Sequence, residues 1–165
     1  MLNLAEVNAL SRDDFVRVVG PVFENSPWIA QRAWVERPFG SGAELHRALC
    51  DVVGRASADE KLSLIRAHPD LVGNAVLTAE SEGEQKSAGL GSLTEEERQQ
   101  FRDYNAQYRE RFGFPFVICA RLNKKEAILH AFPARLQNSP ETEMKTALEE
   151  IYKIAELRFQ DVVRE

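Results

Sequence analysis

The sequence is poor in the residues that build disulfide scaffolds and metal sites. It contains two cysteines and three histidines in 165 residues. Neither Cys50 nor Cys119 belongs to a Cys-x-x-Cys motif, and both lie in apolar surroundings. This pattern favours two buried, reduced thiols over a disulfide bridge. The histidines form no His-x-x-x-His or similar pair, so we expect no metal site.

The sequence also lacks an excess of basic residues. It has 21 lysines and arginines against 26 aspartates and glutamates, which gives a formal net charge of -5. Binding to nucleic acid requires a concentrated basic surface, and no such cluster is present. The composition therefore excludes a nucleic-acid partner and favours a small molecule or a protein.

Long hydrophobic runs are missing as well. No uninterrupted apolar stretch approaches the ~20 residues that span a bilayer, and the first residues do not combine a basic segment with an apolar run. The C-terminal DVVRE is not a peroxisomal tripeptide of the Ser-Lys-Leu kind. We therefore expect no membrane association and a cytoplasmic protein. With 44% hydrophobic and 28% charged residues, residues 1–165 are predicted to form one globular domain.

Helix-start signals recur along the chain. Pairs of a serine or threonine with a glutamate three residues later satisfy the free N–H groups of a first helical turn. They are Ser41 with Glu44, Ser57 with Glu60 and Thr94 with Glu97. Further starts are predicted at Ser11, at Ser26-Pro27 and at Ser139-Pro140.

Only one segment, FPFVICA at 114–120, reads as extended, and a buried irregular segment explains it equally well. One strand makes no sheet. We therefore predict an all-α, single compact helical domain of roughly seven or eight helices with no significant sheet. The small and polar residues 78–92 are predicted to form the most loop-like region.

His68 is the first residue that packing alone does not explain. It stands before Pro69, and a residue before proline is pushed out of helical geometry, so His68 should end the preceding helix. Its imidazole could then transfer a proton near neutral pH. The alternative is a helix-terminating histidine favoured by the negative end of the helix dipole.

The second place is the SEGEQKSAGLG segment. Ser81, Glu84 and Gln85 could present a hydroxyl, a carboxylate and an amide together. However, Ser81 with Glu84 has the spacing of the helix caps above, so a purely structural role stays open.

The third is Arg158, which lies four residues after Ile154 and three after Ala155, on the apolar stripe of the last helix. A buried guanidinium should meet a carboxylate from the protein or from a ligand. The alternative is an arginine that extends to solvent near the helix end.

Four stretches in this order, AHPDL, SEGEQKSAGL, ERFGFPFVICA and NSPETEMKTALEEIYKIAELRF, are similar to the ureidoimidazoline decarboxylase family of uric acid breakdown. The resemblance covers nearly the whole chain. It implies a cofactor-free, all-α enzyme that converts 2-oxo-4-hydroxy-4-carboxy-5-ureidoimidazoline (OHCU) to (S)-allantoin and CO2.

The resemblance also implies site residues. It marks His68, Glu84 and Arg158 as catalytic. The substrate-binding residues that it implies are Pro69, Ser81, Gln85, Phe116, Val117 and Ile118.

The chemistry is consistent with these residue types. Decarboxylation leaves an electron pair that the neighbouring ring imine can accept, so the protein must orient the carboxylate and supply a proton to one face. We assign proton transfer to His68, contacts with the ureido and ring groups to Glu84 and Gln85, and an anionic or carbonyl anchor to Arg158.

Four points stay open at this stage. The division of proton transfer between His68 and Glu84 is not decided, and neither is homodimer formation. A related lyase acting on another heterocyclic acid would have the same residue types. A non-enzymatic helical module that binds a protein through Trp28 and Trp34 or through the last helix would explain the amphipathic helices.

Overall fold

The computed structural model describes residues 1–164, and helices dominate that part of the chain. It contains nine α-helices and one two-stranded parallel sheet, in which β1 (Leu2–Asn3) pairs with β2 (Val163–Arg164). The all-α class without a significant sheet is therefore confirmed. Three of the helices, Leu4–Ala9, Ala79–Ser87 and Lys125–Leu136, begin where no helix start was predicted from the sequence.

The chain divides into two compact units. The first comprises Met1–Leu64 and the chain from Tyr152 onward, and the second comprises Ile65–Ile151. Helices of the first unit are α1 (Leu4–Ala9), α2 (Arg12–Val19), α3 (Trp28–Ala33) and α4 (Gly42–Arg55). The second unit holds α6 (Ala79–Ser87), α7 (Glu95–Phe112) and α8 (Lys125–Leu136). Helices α5 (Ala58–Arg66) and α9 (Pro140–Val162) each run from one unit into the other. The single domain expected for residues 1–165 stays a prediction.

Most predicted helix starts are confirmed by their caps. The Ser41 hydroxyl accepts the Glu44 N–H at 3.0 Å, and Thr94 and Glu97 satisfy each other's N–H groups at 3.0 and 3.1 Å. Gly113, at φ 76°, ends α7 in the left-handed conformation that glycine adopts without strain. These signals depend on residues that are close in sequence, so they do not depend on how the rest of the chain packs.

The helix predicted to start at Ser26-Pro27 is present at that place, but the prediction that Ser26 caps it is wrong. Helix α3 begins at Trp28, but no side chain caps it, and Pro27 occupies the N-cap position instead of the first turn. The Ser26 hydroxyl instead donates to the backbone carbonyl of Glu24 at 2.8 Å. Ser26 therefore fixes the chain just before the helix.

An aromatic cluster forms the core of the second unit. The rings of Phe116 and Phe132 stack with centroids 3.8 Å apart, and Tyr108 meets Phe116 edge-on at 5.4 Å. This packing holds the segment at 114–119, which has no strand assignment and is buried along its length. The irregular buried segment is thus the correct one of the two predicted forms.

Within the part of the chain that the structure covers, no helix is both long enough and apolar enough to cross a lipid bilayer.

Candidate active site

His68 lies two residues beyond the end of α5, as the His-Pro dipeptide predicts. Its N–H donates to the Ile65 carbonyl at 3.2 Å, which closes the last turn. The residue is only 7% exposed. Because so little of it meets bulk water, the imidazole can exchange protons with a bound molecule without solvent competing on all sides.

Helix α6 occupies the region predicted to be most loop-like, so that prediction is wrong for 79–87. The cap is Thr78, whose side chain accepts the Ser81 N–H at 3.2 Å. Ser81 is therefore the third residue inside the helix. The structural alternative for Ser81, an N-cap paired with Glu84, is excluded by this geometry.

The three predicted site residues of α6, Ser81, Glu84 and Gln85, share one side of the helix. Ser81 and Gln85 are four residues apart and both are buried, while Glu84 is half-buried beside them. The amide oxygen of Gln85 accepts the Val72 N–H at 3.2 Å, which joins α6 to the turn that follows His68. Lys86 and Ser87 point to solvent, where Lys86 pairs with Glu82 at 3.1 Å.

The segment containing Phe116, Val117 and Ile118 forms a further wall of the second unit. The Val117 carbonyl accepts from Nη1 of Arg135 at 2.6 Å, and the Cys119 N–H donates to the Glu150 carboxylate at 3.4 Å. Burial raises the pKa of the Cys119 thiol, and the carboxylates of Glu150 and Glu84 raise it further. Glu84 is thus close enough to this segment to act on it electrostatically.

The second unit therefore gathers eight of the nine predicted site residues on three connected stretches: the turn after α5, one side of α6, and the buried segment. Among the described residues, no group of three or more His, Cys, Asp and Glu side chains is arranged to hold a metal ion.

Arg158 belongs to the first unit and is 4% exposed. Its Nη2 donates to the carboxylate of Glu24 at 2.8 Å, and its Nη1 donates to the Pro21 carbonyl at 3.1 Å. The prediction of a buried arginine facing a carboxylate is confirmed, and a solvent-extended side chain is excluded. The two contacts fix the plane of the guanidinium, and the carboxylate that it meets comes from the protein itself.

A cleft of about 570 Å³ in the first unit is a competing candidate. It contains His46 and Cys50, whose ring nitrogen and sulfur are 3.8 Å apart. Burial raises the pKa of the Cys50 thiol to about 11, with smaller contributions from Asp51 and Glu156. A thiol that stays protonated at neutral pH is a poor nucleophile, so the raised pKa argues against nucleophilic catalysis by Cys50.

Asn105 and Arg135 are buried polar side chains of the second unit that were not identified from the sequence. Asn105 donates from Nδ2 to the Leu71 carbonyl at 2.8 Å, and Arg135 pairs with the fully buried Glu143 at 2.8 Å. A signal was present for both. Asn105 interrupts the apolar stripe of α7 between Phe101 and Tyr108, as Arg135 does three residues after Phe132. The same reasoning that identified Arg158 would have found them.

The chain matches the family model described as OHCU decarboxylase over residues 8–160. It is 45% identical to the 2-oxo-4-hydroxy-4-carboxy-5-ureidoimidazoline decarboxylase of Haloferax volcanii, over 97% of this chain and 95% of that protein. It is 41% identical to the protein of the same name from Amia calva, over 99% of this chain and 95% of that one.

A longer relative is the uric acid degradation bifunctional protein of Bacillus sp. (strain TB-90). The identity is 43% over the whole of this chain, which spans only 33% of that protein.

Two solved structures are similar to this chain. A crystal structure of (S)-allantoin synthase matches with a TM-score of 0.83 and 27% identity, over 99% of this chain and 54% of that one. A crystal structure of OHCU decarboxylase in the presence of (S)-allantoin matches with a TM-score of 0.72 and 26% identity, over 85% and 93% of the two chains.

These matches confirm the family and the carboxy-lyase class predicted from the four sequence stretches. The chain belongs to the OHCU decarboxylase family.

Proposed function

We propose that this protein decarboxylates OHCU to (S)-allantoin and CO2 in urate degradation, without a cofactor. The observation that carries the proposal is the match to a decarboxylase of this name over almost the full length of both chains. A solved relative was crystallised in the presence of (S)-allantoin, which is the proposed product. Activities of the longer bifunctional relative outside the matched third are no part of the proposal.

The reaction needs orientation and one proton. The bond between the carboxylate carbon and the ring carbon breaks, CO2 leaves, and the electron pair moves into the adjacent C=N group of the ring. The nitrogen that receives the pair takes up a proton, and the ring carbon that bears the ureido group takes up another. The ring hydroxyl releases its own proton as it becomes a carbonyl, so the net uptake is one proton. Delivery of the proton on carbon from one side gives a single enantiomer, whereas delivery from water gives a racemate.

His68 is the proposed proton-transfer group. It is buried, and Pro69 restricts the backbone on its C-terminal side. Because an unperturbed imidazole titrates near neutral pH, it can both take and give a proton under working conditions. The alternative of a histidine that only terminates α5 requires the proton to come from Glu84 or from water.

The polar side of α6 and the buried segment are proposed to hold the substrate. Glu84 accepts from ureido or ring N–H groups, and Ser81 and Gln85 supply a hydroxyl and an amide N–H, since the Gln85 oxygen already binds Val72. Pro69 and the segment Phe116, Val117 and Ile118 complete the wall with backbone groups. We keep Glu84 as a catalytic partner of His68 because a half-buried carboxylate can also accept a proton.

Arg158 is proposed to anchor a carboxylate or carbonyl oxygen of the substrate. Its assignment depends on the closing Leu-Arg-Phe motif of the family and on the fixed guanidinium described above. Glu24 then has the role of keeping that guanidinium oriented.

The test is to mix the protein with OHCU generated fresh from urate and to record allantoin by circular dichroism and CO2 by a coupled assay. We expect rapid CO2 release and a dichroic signal of the (S) enantiomer, whereas heat-inactivated protein leaves the slow racemic decay. Racemic product at the uncatalysed rate would refute the proposal. Turnover of a different heterocyclic acid, with no effect on OHCU, would identify a related lyase instead.

The cytoplasmic location and a homodimer stay predictions. Cell fractionation and sedimentation equilibrium test them separately from the reaction.

A further inference from the structure

We infer that Asn105 is a positioning residue that holds the turn after His68, and thereby the imidazole, in the geometry for proton transfer. The inference rests on the proposed role of His68. Asn105 itself acts through the backbone of Leu71, three residues after the histidine, and no contact of Asn105 with the substrate is involved.

Three side chains fix three consecutive residues of this turn. Asp70 accepts from Nε of Arg109 at 2.9 and 3.1 Å, and the Leu71 carbonyl accepts from Asn105 at 2.8 Å. The Val72 N–H donates to Gln85 at 3.2 Å. Asn105 and Arg109 are four residues apart on α7, so they lie on the same side of that helix. From there they hydrogen-bond two successive residues of the turn.

The turn needs such support because it contains a strained residue. Val72 has φ 58°, in the left-handed region that β-branched side chains avoid. A valine keeps this conformation only where the surrounding contacts enforce it, and such residues cluster at functional sites. The peptide group that joins Leu71 to Val72 carries both hydrogen bonds, because its carbonyl accepts from Asn105 and its N–H donates to Gln85. These two bonds fix the plane of the peptide group on the N-terminal side of Val72.

Asn105 is a poor choice for packing alone. Its Oδ1 is buried and has no hydrogen-bond partner among residues 1–164, while Nδ2 is committed to Leu71. A buried acceptor without a partner destabilises the fold, and an apolar residue would avoid that loss. The amide is therefore present for its bond to Leu71, and this bond leads along the chain to His68.

The decisive variant is Asn105→Leu, which keeps the approximate size and removes both polar atoms. We expect kcat to fall by about 10-fold to 10²-fold with KM within about twofold, because a displacement of about 1 Å of the reacting group costs rate and spares ground-state binding. Asn8→Leu is the matched control in the first unit, since Nδ2 of Asn8 also donates to a backbone carbonyl, that of Phe39, at 2.9 Å. That variant should keep the parental kinetic constants and lose stability only.

Ring signals of histidine in NMR spectra give a second readout that does not depend on turnover. The chain has three histidines, and a His68→Asn variant identifies the signal of His68. Asn105→Leu should shift the His68 signal and leave those of His46 and His130 in place. Since this shift is measured without OHCU, it separates a failure of the positioning inference from a failure of the proposed reaction.

An unchanged kcat together with an unchanged His68 signal, in a folded Asn105→Leu protein, would overturn the inference and make Asn105 a structural residue only. If that variant does not fold, Asn105→Asp is measured in the same way. An aspartate can donate to Leu71 only when protonated, so its kcat relative to the parent should rise as the pH falls, and a constant ratio would overturn the inference.

Discussion

Replacing Glu143 by glutamine should destabilise the protein by more than any exposed charge change can. The carboxylate is fully buried and accepts three hydrogen bonds: from the Tyr108 hydroxyl at 2.5 Å, from Nε of Arg135 at 2.8 Å and from the Asn138 amide at 2.9 Å. The glutamine keeps the size but removes the charge that Arg135 faces.

The expected loss of stability follows from the buried arginine that is left without its carboxylate partner. Arg135 is 8% exposed, its Nη2 has no partner in the described part of the chain, and it would keep only the Val117 carbonyl as a strong acceptor. Removal of one member of a buried ion pair costs about 3–5 kcal/mol. Tyr108→Phe removes a single bond to a charged group, so we expect it to cost about 1.5–3 kcal/mol.

Urea denaturation followed by far-ultraviolet circular dichroism measures these losses. With a slope of about 2 kcal/mol per M, Glu143→Gln should lower the midpoint by about 1.5–2.5 M. Glu149→Gln is the matched control, because Glu149 lies on the same helix, is exposed and meets Lys145 only at 3.9 Å. We expect that control to stay within about 0.5 kcal/mol of the parent.

A double-mutant cycle measures the interaction free energy between Arg135 and Glu143 apart from their other contacts. Arg135→Met combined with Glu143→Leu removes both charges, so the double variant should lose clearly less stability than the sum of its single variants. Strict additivity, or a Glu143→Gln loss below about 1 kcal/mol, would refute the reasoning, since neither agrees with two buried charges that depend on each other.

Three further outcomes are expected. Burial holds the pKa of Cys50 at about 11 against an ordinary 9.0, so at pH 8 its thiolate fraction, and with it the rate of iodoacetamide alkylation, should be about 10²-fold below that of an exposed thiol. Mass spectrometry of the labelled peptide measures this rate, and rapid labelling would contradict a buried neutral thiol. Thr78→Ala should cost about 1 kcal/mol of stability and spare the turnover of the folded fraction, whereas Ser81→Ala should show the reverse, and equal profiles would remove Ser81 from the site. Arg158→Lys should raise KM with some loss of kcat in steady-state assays, because an ammonium cannot reproduce the planar fork, and unchanged constants would exclude a ligand contact.

Local signals made much of the helical framework predictable. A cap depends on residues three positions apart, so Ser41 and Thr94 could be identified without knowing what their helices pack against. Helix α6 was not predicted from the sequence, for a physical reason. Its sequence AESEGEQKS is polar almost all round and includes Gly83, so no apolar stripe marks it, and only Ser81 and Gln85 are buried.

The partners of buried charges could not be predicted from the sequence, for a different reason. The position of Arg158 on an apolar stripe predicted a carboxylate, but its partner Glu24 is 134 residues away in sequence and no local pattern selects it. The turn around Val72 is similar, since its strain and its bonds to Asn105 and Gln85 arise only when three separate stretches meet. The residue types of the candidate site could therefore be proposed from the sequence, whereas their pairing required the fold.

The most direct test of the central claim is the rate and chirality of allantoin formation by the His68→Asn variant. The asparagine roughly preserves size and hydrogen bonding and removes the ionisable group, whose proton transfer is typically worth 10²- to 10⁴-fold. We predict a folded protein that melts within a few degrees of the parent, forms (S)-allantoin at least ~10²-fold more slowly, and leaves racemic product from spontaneous decay to dominate. A folded variant with near-parental rate and stereochemistry would show that His68 only terminates α5 and that the proton comes from Glu84 or water.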